Sequence, residues 1–232
     1  MGGLSFEDLH GAFRSGHKQP WFVCRKQAAA RIEHGRDEGG SKVASILCLI
    51  TEDFADFEIT LALHKIRNVG KRRILTVGYD KQAVTSESGL TYLPDVTMAE
   101  AMELEDVEGL LIPGGPIREQ RNELTALIRK LDGEKKLLAA ICNGPQYLGR
   151  SGILDKRSFT TSCSAERIGK LGVADPFPRA NFLDKRVVRD GHVITAQGRA
   201  FVDYAFAVFD YLGIYAGKEN EQAQLYADVM DR

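Results

Sequence analysis

Residues 43–50 (VASILCLI) form a short apolar run, the mark of a strand buried on both faces. Within 54–69 the apolar residues Phe57, Ala62, Leu63 and Ile66 recur at helical spacing, and Gly70 supplies a stop. Residues 73–77 read as the next strand, 86–93 as a polar-flanked hairpin or edge segment, and 107–112 as another buried strand. A helix over 121–131 precedes a strand at 136–141, and a further helix starts near Gly144. The pattern then predicts a short strand at 159–161 and a helix over 165–171. In 187–195, Asp190-Gly191 sits between β-branched runs, a hairpin signal. The last strongly patterned helix is 201–212, with Tyr204, Ala205, Val208 and Phe209 on one face. Strand and helix alternate without a fixed-period repeat, which predicts a doubly wound, mostly parallel α/β sandwich over residues 42–213.

The flanks differ. Residues 1–41 show no sustained period, hold three of the five histidines, and are expected to be a flexible N-terminal extension, native or not. Acidic Glu7, Asp8, Glu33, Asp37 and Glu38 argue against an organellar transit peptide, and no signal-peptide core is present. Residues 214–232 are polar and read as a tail or an exposed helix.

Composition narrows the function classes. Thirty-one Lys+Arg balance 32 Asp+Glu in 232 residues, and no basic run offers a nucleic-acid footprint. The apolar runs are too short to span a bilayer. Four cysteines do not make a disulfide scaffold, so the chain reads as cytoplasmic. Without a Cys-x-x-Cys or His-x-x-x-His pair in the domain, no metal is expected, and without a nucleotide-type glycine loop no cofactor is.

Ligands of a parallel sheet sit beyond the carboxyl ends of its strands. The segments that follow the predicted strands are Thr51 to Glu58, Pro113-Gly114-Gly115-Pro116 and Cys142-Asn143-Gly144-Pro145. A carboxylate, a glycine turn and a thiol therefore converge. Cys142 lies between an apolar strand and a helix start, among small residues, as a nucleophile elbow requires. A helix N-terminus there is expected to lower its pKa. Cys48, inside the first strand, reads as a buried structural cysteine. The amides of Gly114 and Gly115 could form an oxyanion pocket beside Cys142.

Phe54-Ala55-Asp56-Phe57-Glu58, Leu111-Ile112-Pro113-Gly114-Gly115-Pro116, Ala139-Ala140-Ile141-Cys142-Asn143-Gly144-Pro145 and Thr195-Ala196-Gln197-Gly198 occur in this order. Together they resemble the DJ-1/ThiJ/PfpI superfamily, over roughly three-quarters of the chain. The resemblance implies a flavodoxin-like, class I glutamine-amidotransferase-like fold and a homodimer. It implies Cys142 as nucleophile, Glu58 as its protonated-carboxyl partner, and oxyanion donors from Gly115 and Asn143. Members have been assigned as proteases or amidases, glyoxalases, deglycases, chaperones and oxidation sensors, so the fold does not settle the reaction.

The departures bear on that choice. Many relatives place a histidine directly after the cysteine, where this chain has Asn143; others bring one from the segment that here holds Ser162 and Cys163. His64 is six residues beyond Glu58, about 600° round the helix at about 100° per residue. His192 follows the Asp-Gly turn and is expected to be exposed. A Cys-His-Asp triad thus lacks an obvious histidine, which weakens the protease or amidase assignment. The expectation is a cysteine-dependent enzyme acting on a small carbonyl or amide compound; the alternative is a redox sensor or stress-protective protein in which Cys142 is oxidised. Cys163, in the segment that lines the site in relatives, is a candidate resolving thiol.

Overall fold

A computed structural model describes residues 43–230; the N-terminal extension expected over 1–41 lies outside them. The main sheet runs β5-β2-β1-β6-β7-β9-β8. Its strands are β1 (Ser45–Leu49), β2 (Arg73–Gly78), β5 (Val96–Thr97), β6 (Val107–Ile112), β7 (Leu137–Ile141), β8 (Val187–Asp190) and β9 (Val193–Ala196). All neighbours are parallel except β8, which returns antiparallel on β9 through the Gly191 turn. Strands β3 (Val84–Thr85) and β4 (Thr91–Tyr92) form the expected small hairpin outside the sheet.

Every residue of β1 and β7 is buried because helices cover both faces. Alternate residues feed two layers. Leu47, Leu49, Leu110, Ile112, Leu138 and Ala140 pack on α3 (Asn122–Gly133) through its Leu124, Leu127, Ile128 and Leu131. Ile46, Cys48, Leu111, Ala139, Ile141 and Ile194 pack under α1 (Phe57–Asn68) and α6 (Phe201–Leu212). Short α2 (Met98–Met102) starts at a capping box, Thr97 with Glu100, that the apolar pattern does not reveal. Helix α4 is Pro145–Arg150 and α5 is Ala165–Leu171. Helix α7 (Glu219–Met230) has no buried residue and rests on α6, where Tyr226 meets Phe206 edge-on with 4.9 Å between ring centroids.

Residues 159–161 are not a sheet strand. They lie over a face of the sheet, with Phe159 in the layer of Leu138 and Ala140, and Phe159 forms only an isolated bridge with Phe182. The Thr160 N–H donates instead to Thr195 Oγ1 at 2.9 Å. Among the described residues no helix is long and apolar enough to cross a membrane.

Candidate functional site

Cys142 follows the central strand β7, with β6 on one side and β9 on the other. Its φ is +60°, a left-handed conformation that costs a non-glycine residue about 1–2 kcal/mol. The surrounding backbone enforces it. The Cys142 N–H donates to Ala196 O at 2.8 Å, while its carbonyl accepts from the Ser162 N–H at 3.0 Å and from Thr161 Oγ1 at 2.6 Å. The strained turn leaves the side chain half-buried at the sheet's carboxyl edge.

Glu58, in the first turn of α1, is only 2% exposed and in hydrogen-bond contact with the Cys142 thiol. The two side chains lie between two glycines. A Cβ on Gly114 would fall 2.6 Å from Glu58 Oε2 and 3.1 Å from Cys142 Sγ; one on Gly198 would fall 2.8 Å from Oε1 and 3.0 Å from Sγ. Only glycine at both positions admits the pair without displacement. Gly198 ends the Thr195-Ala196-Gln197-Gly198 segment, yet the sequence alone assigns it no role, because its closeness to Cys142 depends on β9 lying beside β7.

Three expectations read from the sequence change. The Gly114 N–H donates to Glu58 Oε2 at 2.7 Å and is spent there, so it is not an oxyanion donor. That leaves the Gly115 amide, and the Asn143 N–H only once Cys142 Sγ, to which it donates here, has given up its charge; an Asn143 Nδ2 bond to Gly115 O at 2.7 Å joins the two segments. Asn143 Oδ1 is buried without a partner among the described residues. The thiol is not lowered. Burial first, then the Glu58 carboxylate, push Cys142 up to about 12, against hydrogen bonds from Ser162 and the Asn143 N–H that favour the thiolate. Burial also raises Glu58, opposed by the Gly114 N–H and the Cys142 contact. His192, expected to be exposed, instead packs against α3, with Nε2 2.7 Å from Asp132 Oδ1. It lies at the start of β9, the end of the sheet opposite Cys142, where its carbonyl accepts from the Leu138 N–H. His64 is exposed. No histidine among the described residues reaches the site.

Ser162 and Cys163 part company. The Gly198 N–H donates to Ser162 Oγ at 2.8 Å, which leaves the Ser162 hydroxyl proton for Cys142 Sγ. Cys163, the next residue, points the other way into the layer containing Leu138 and Ala140, whereas Cys142 packs against the opposite layer. A Cys142–Cys163 disulfide would need the backbone to move. Cys48 is fully buried, and that burial pushes its thiol up to about 12.

Asp56 stands two residues before Glu58, and nothing in its local sequence singles it out. It is 3% exposed and accepts hydroxyl protons from Ser86 at 2.9 Å, Ser88 at 2.7 Å and Tyr92 at 3.1 Å. This network clamps the β3–β4 hairpin onto the entry to α1 and so positions Glu58. Among the described residues no three His, Cys, Asp or Glu side chains gather as a metal site would require.

An open parallel sheet with a cysteine on a strained strand-to-helix turn, faced by a buried carboxyl, defines a cysteine-elbow α/β protein. A model of the DJ-1/PfpI family matches residues 44–210, and the chain belongs to that family. Among its relatives is Deglycase PfpI of Pyrococcus furiosus, 29% identical over 157 residues that cover 66% of this chain and 89% of the relative. Protein DJ-1alpha of Drosophila melanogaster is 26% identical over 192 residues, covering 78% of this chain and 83% of its own. A crystal structure of a DJ-1 superfamily protein from Agrobacterium tumefaciens superposes with a TM-score of 0.68 at 27% identity, covering 80% of this chain and 98% of the other.

Proposed function

We propose that this protein is a cysteine-dependent enzyme acting on small carbonyl compounds, in the manner of a glyoxalase or deglycase, with Cys142 as nucleophile and Glu58 as the group that moves the proton. The observation that carries this is the contact between the strained Cys142 and the buried Glu58 inside the Gly114–Gly198 cleft. Both groups resist ionising together, so the pair carries one negative charge and one proton. With the charge on sulfur, Sγ adds to a carbonyl carbon, and the carbonyl electron pair moves to oxygen beside the Gly115 and Asn143 amides. For a dicarbonyl, Glu58 then carries the proton from the carbon bonded to sulfur to the neighbouring carbonyl carbon. This leaves a thioester, and one water releases it as a hydroxy acid. No external oxidant or reductant is needed, and neither is a histidine. That absence separates this chemistry from the protease or amidase assignment that the family also attracts. The name deglycase on the Pyrococcus relative supports it.

We take the protein to act as a cytoplasmic homodimer, which sedimentation and fractionation would test. The chemical test is methylglyoxal turnover by the parent, Cys142→Ser and Glu58→Gln. Turnover by the parent that is lost in both variants supports the proposal. An inactive parent whose Cys142 instead accumulates a stable sulfinate under mild peroxide replaces it with the oxidation sensor.

A further inference from the structure

A cavity of about 540 Å³ opens beside Ser162, the residue whose hydroxyl meets the Cys142 thiol. Its charged lining is Arg179, Asp184 and Arg199. Two of the three are already engaged. Arg179 pairs with Asp175 at 2.8 Å and donates to Cys163 O at 2.8 Å, and Asp184 accepts from Gln197 Nε2 at 2.8 Å. The Arg199 side chain is exposed and, among the described residues, forms no ion pair or hydrogen bond. It stands one peptide bond beyond Gly198, whose missing side chain would lie 3.0 Å from Cys142 Sγ. The spare cation is therefore attached to the wall of the thiol cleft and lines the cavity beside Ser162.

Cavities of about 300–1,000 Å³ ordinarily hold ligands larger than a three-carbon dicarbonyl. The space beyond the reacting carbonyl is thus wide enough for a second functional group, and the group it meets is a guanidinium with its donors unspent. Guanidinium recognises planar carboxylates through paired N–H donors. Asp184 forms no ion pair with Arg199 among the described residues; its Oδ1 accepts from the neutral Gln197 amide.

Resting on the proposed function, we infer that Arg199 is a specificity residue that selects carbonyl substrates carrying a carboxylate, such as 2-oxo acid derivatives or carbonyl adducts of free amino acids. The carboxylate lies toward Arg199 and the carbonyl toward Cys142, with Ser162 between them.

The test compares iodoacetate with iodoacetamide, two reagents of similar size in which Sγ displaces iodide and only one of which carries a carboxylate. Rates are read at the Cys142 peptide by mass spectrometry at low ionic strength, in the parent, Arg199→Gln and Arg199→Lys. Taking the iodoacetate to iodoacetamide ratio cancels any change in thiolate fraction. The ratio is expected to fall about three-fold or more in Arg199→Gln, to recover partly in Arg199→Lys, and to shrink with salt in the parent. A reactive Cys142 whose ratio is the same in parent and Arg199→Gln overturns this inference and leaves the proposed function standing. A Cys142 unreactive to iodoacetamide in the parent overturns both.

Discussion

Gly114 donates its N–H to Oε2 of Glu58 at 2.7 Å, so the carboxyl beside Cys142 is held from the end of β6 as well as by its own helix. One carboxyl oxygen is thereby fixed as an acceptor, and the carboxyl is in hydrogen-bond contact with the Cys142 thiol. Burial raises Glu58; burial and the Glu58 charge together push Cys142 up to about 12. Two such groups in contact titrate as a pair. The first proton lost leaves a single shared charge, and loss of the second is opposed until strongly alkaline pH. Alkylation of Cys142 by iodoacetamide should therefore reach a plateau across neutral pH and rise again only toward about 12. In Glu58→Gln the charge that helps hold the thiol up is gone, so the two steps should merge into a single one whose midpoint lies below about 12. A single step near the free-thiol value of about 8.5 in both proteins contradicts a coupled pair.

The same raised carboxyl has a consequence for stability. A group whose folded pKa exceeds its unfolded value, about 4.3 for Glu, stabilises the fold fully below that value, and the contribution is lost as pH rises through the folded pKa. Glu58→Gln does not ionise, so its melting temperature relative to the parent should increase between pH near 4 and pH near 8. Thermal unfolding at the two pH values measures this directly, and a difference that stays constant or shrinks would count against a raised Glu58.

Gly198→Ala places a methyl 2.8 Å from Glu58 Oε1 and 3.0 Å from Cys142 Sγ. One of the two side chains must shift, at a cost of about 1–3 kcal/mol in stability. Methylglyoxal turnover is expected to fall by about ten-fold or more, since each 1.4 kcal/mol in the barrier is about ten-fold in rate. Wild-type kinetics in a folded Gly198→Ala would place the reacting pair elsewhere.

Asp56 accepts three hydroxyl bonds, from Ser86, Ser88 and Tyr92. Burial alone would raise its carboxyl, but these bonds outweigh burial and hold it below the usual range. Asp56→Ala leaves the donors unmet and should cost about 2–3 kcal/mol at neutral pH. Because the folded pKa is depressed, the stabilisation is present above the unfolded value of about 3.9 and is lost as pH falls through the folded one. Denaturant titrations should show the gap between parent and variant narrowing in acid. A gap independent of pH would mean that the carboxylate charge plays no part.

Much of the architecture is legible in the order of residues because strands and helices here carry strong local signals. The apolar run at 43–50 becomes β1 between two helix layers, and the apolar face of Tyr204, Ala205, Val208 and Phe209 becomes the buried side of α6. Small residues around Cys142 mark a sharp turn, and the turn is there, at φ +60°. Residues 159–161 misled because a strand-like triplet forms a ladder only at a sheet edge, and this one packs over a face, Phe159 in the core and the Thr160 N–H on the Thr195 side chain.

What the tertiary structure alone decided is which distant groups meet. Glu58 enters on α1, Gly114 after β6 and Gly198 after β9, and only the placement of β7 between β6 and β9 brings all three to Cys142. The same geometry spends the Gly114 amide on Glu58, turns Cys163 away from Cys142, and pairs His192 with Asp132 at the far end of the sheet. Local sequence determines the shape of each element through burial and backbone preference. Distances between elements, and the pKa shifts that depend on them, arise from strand order and packing, which no short stretch of sequence encodes.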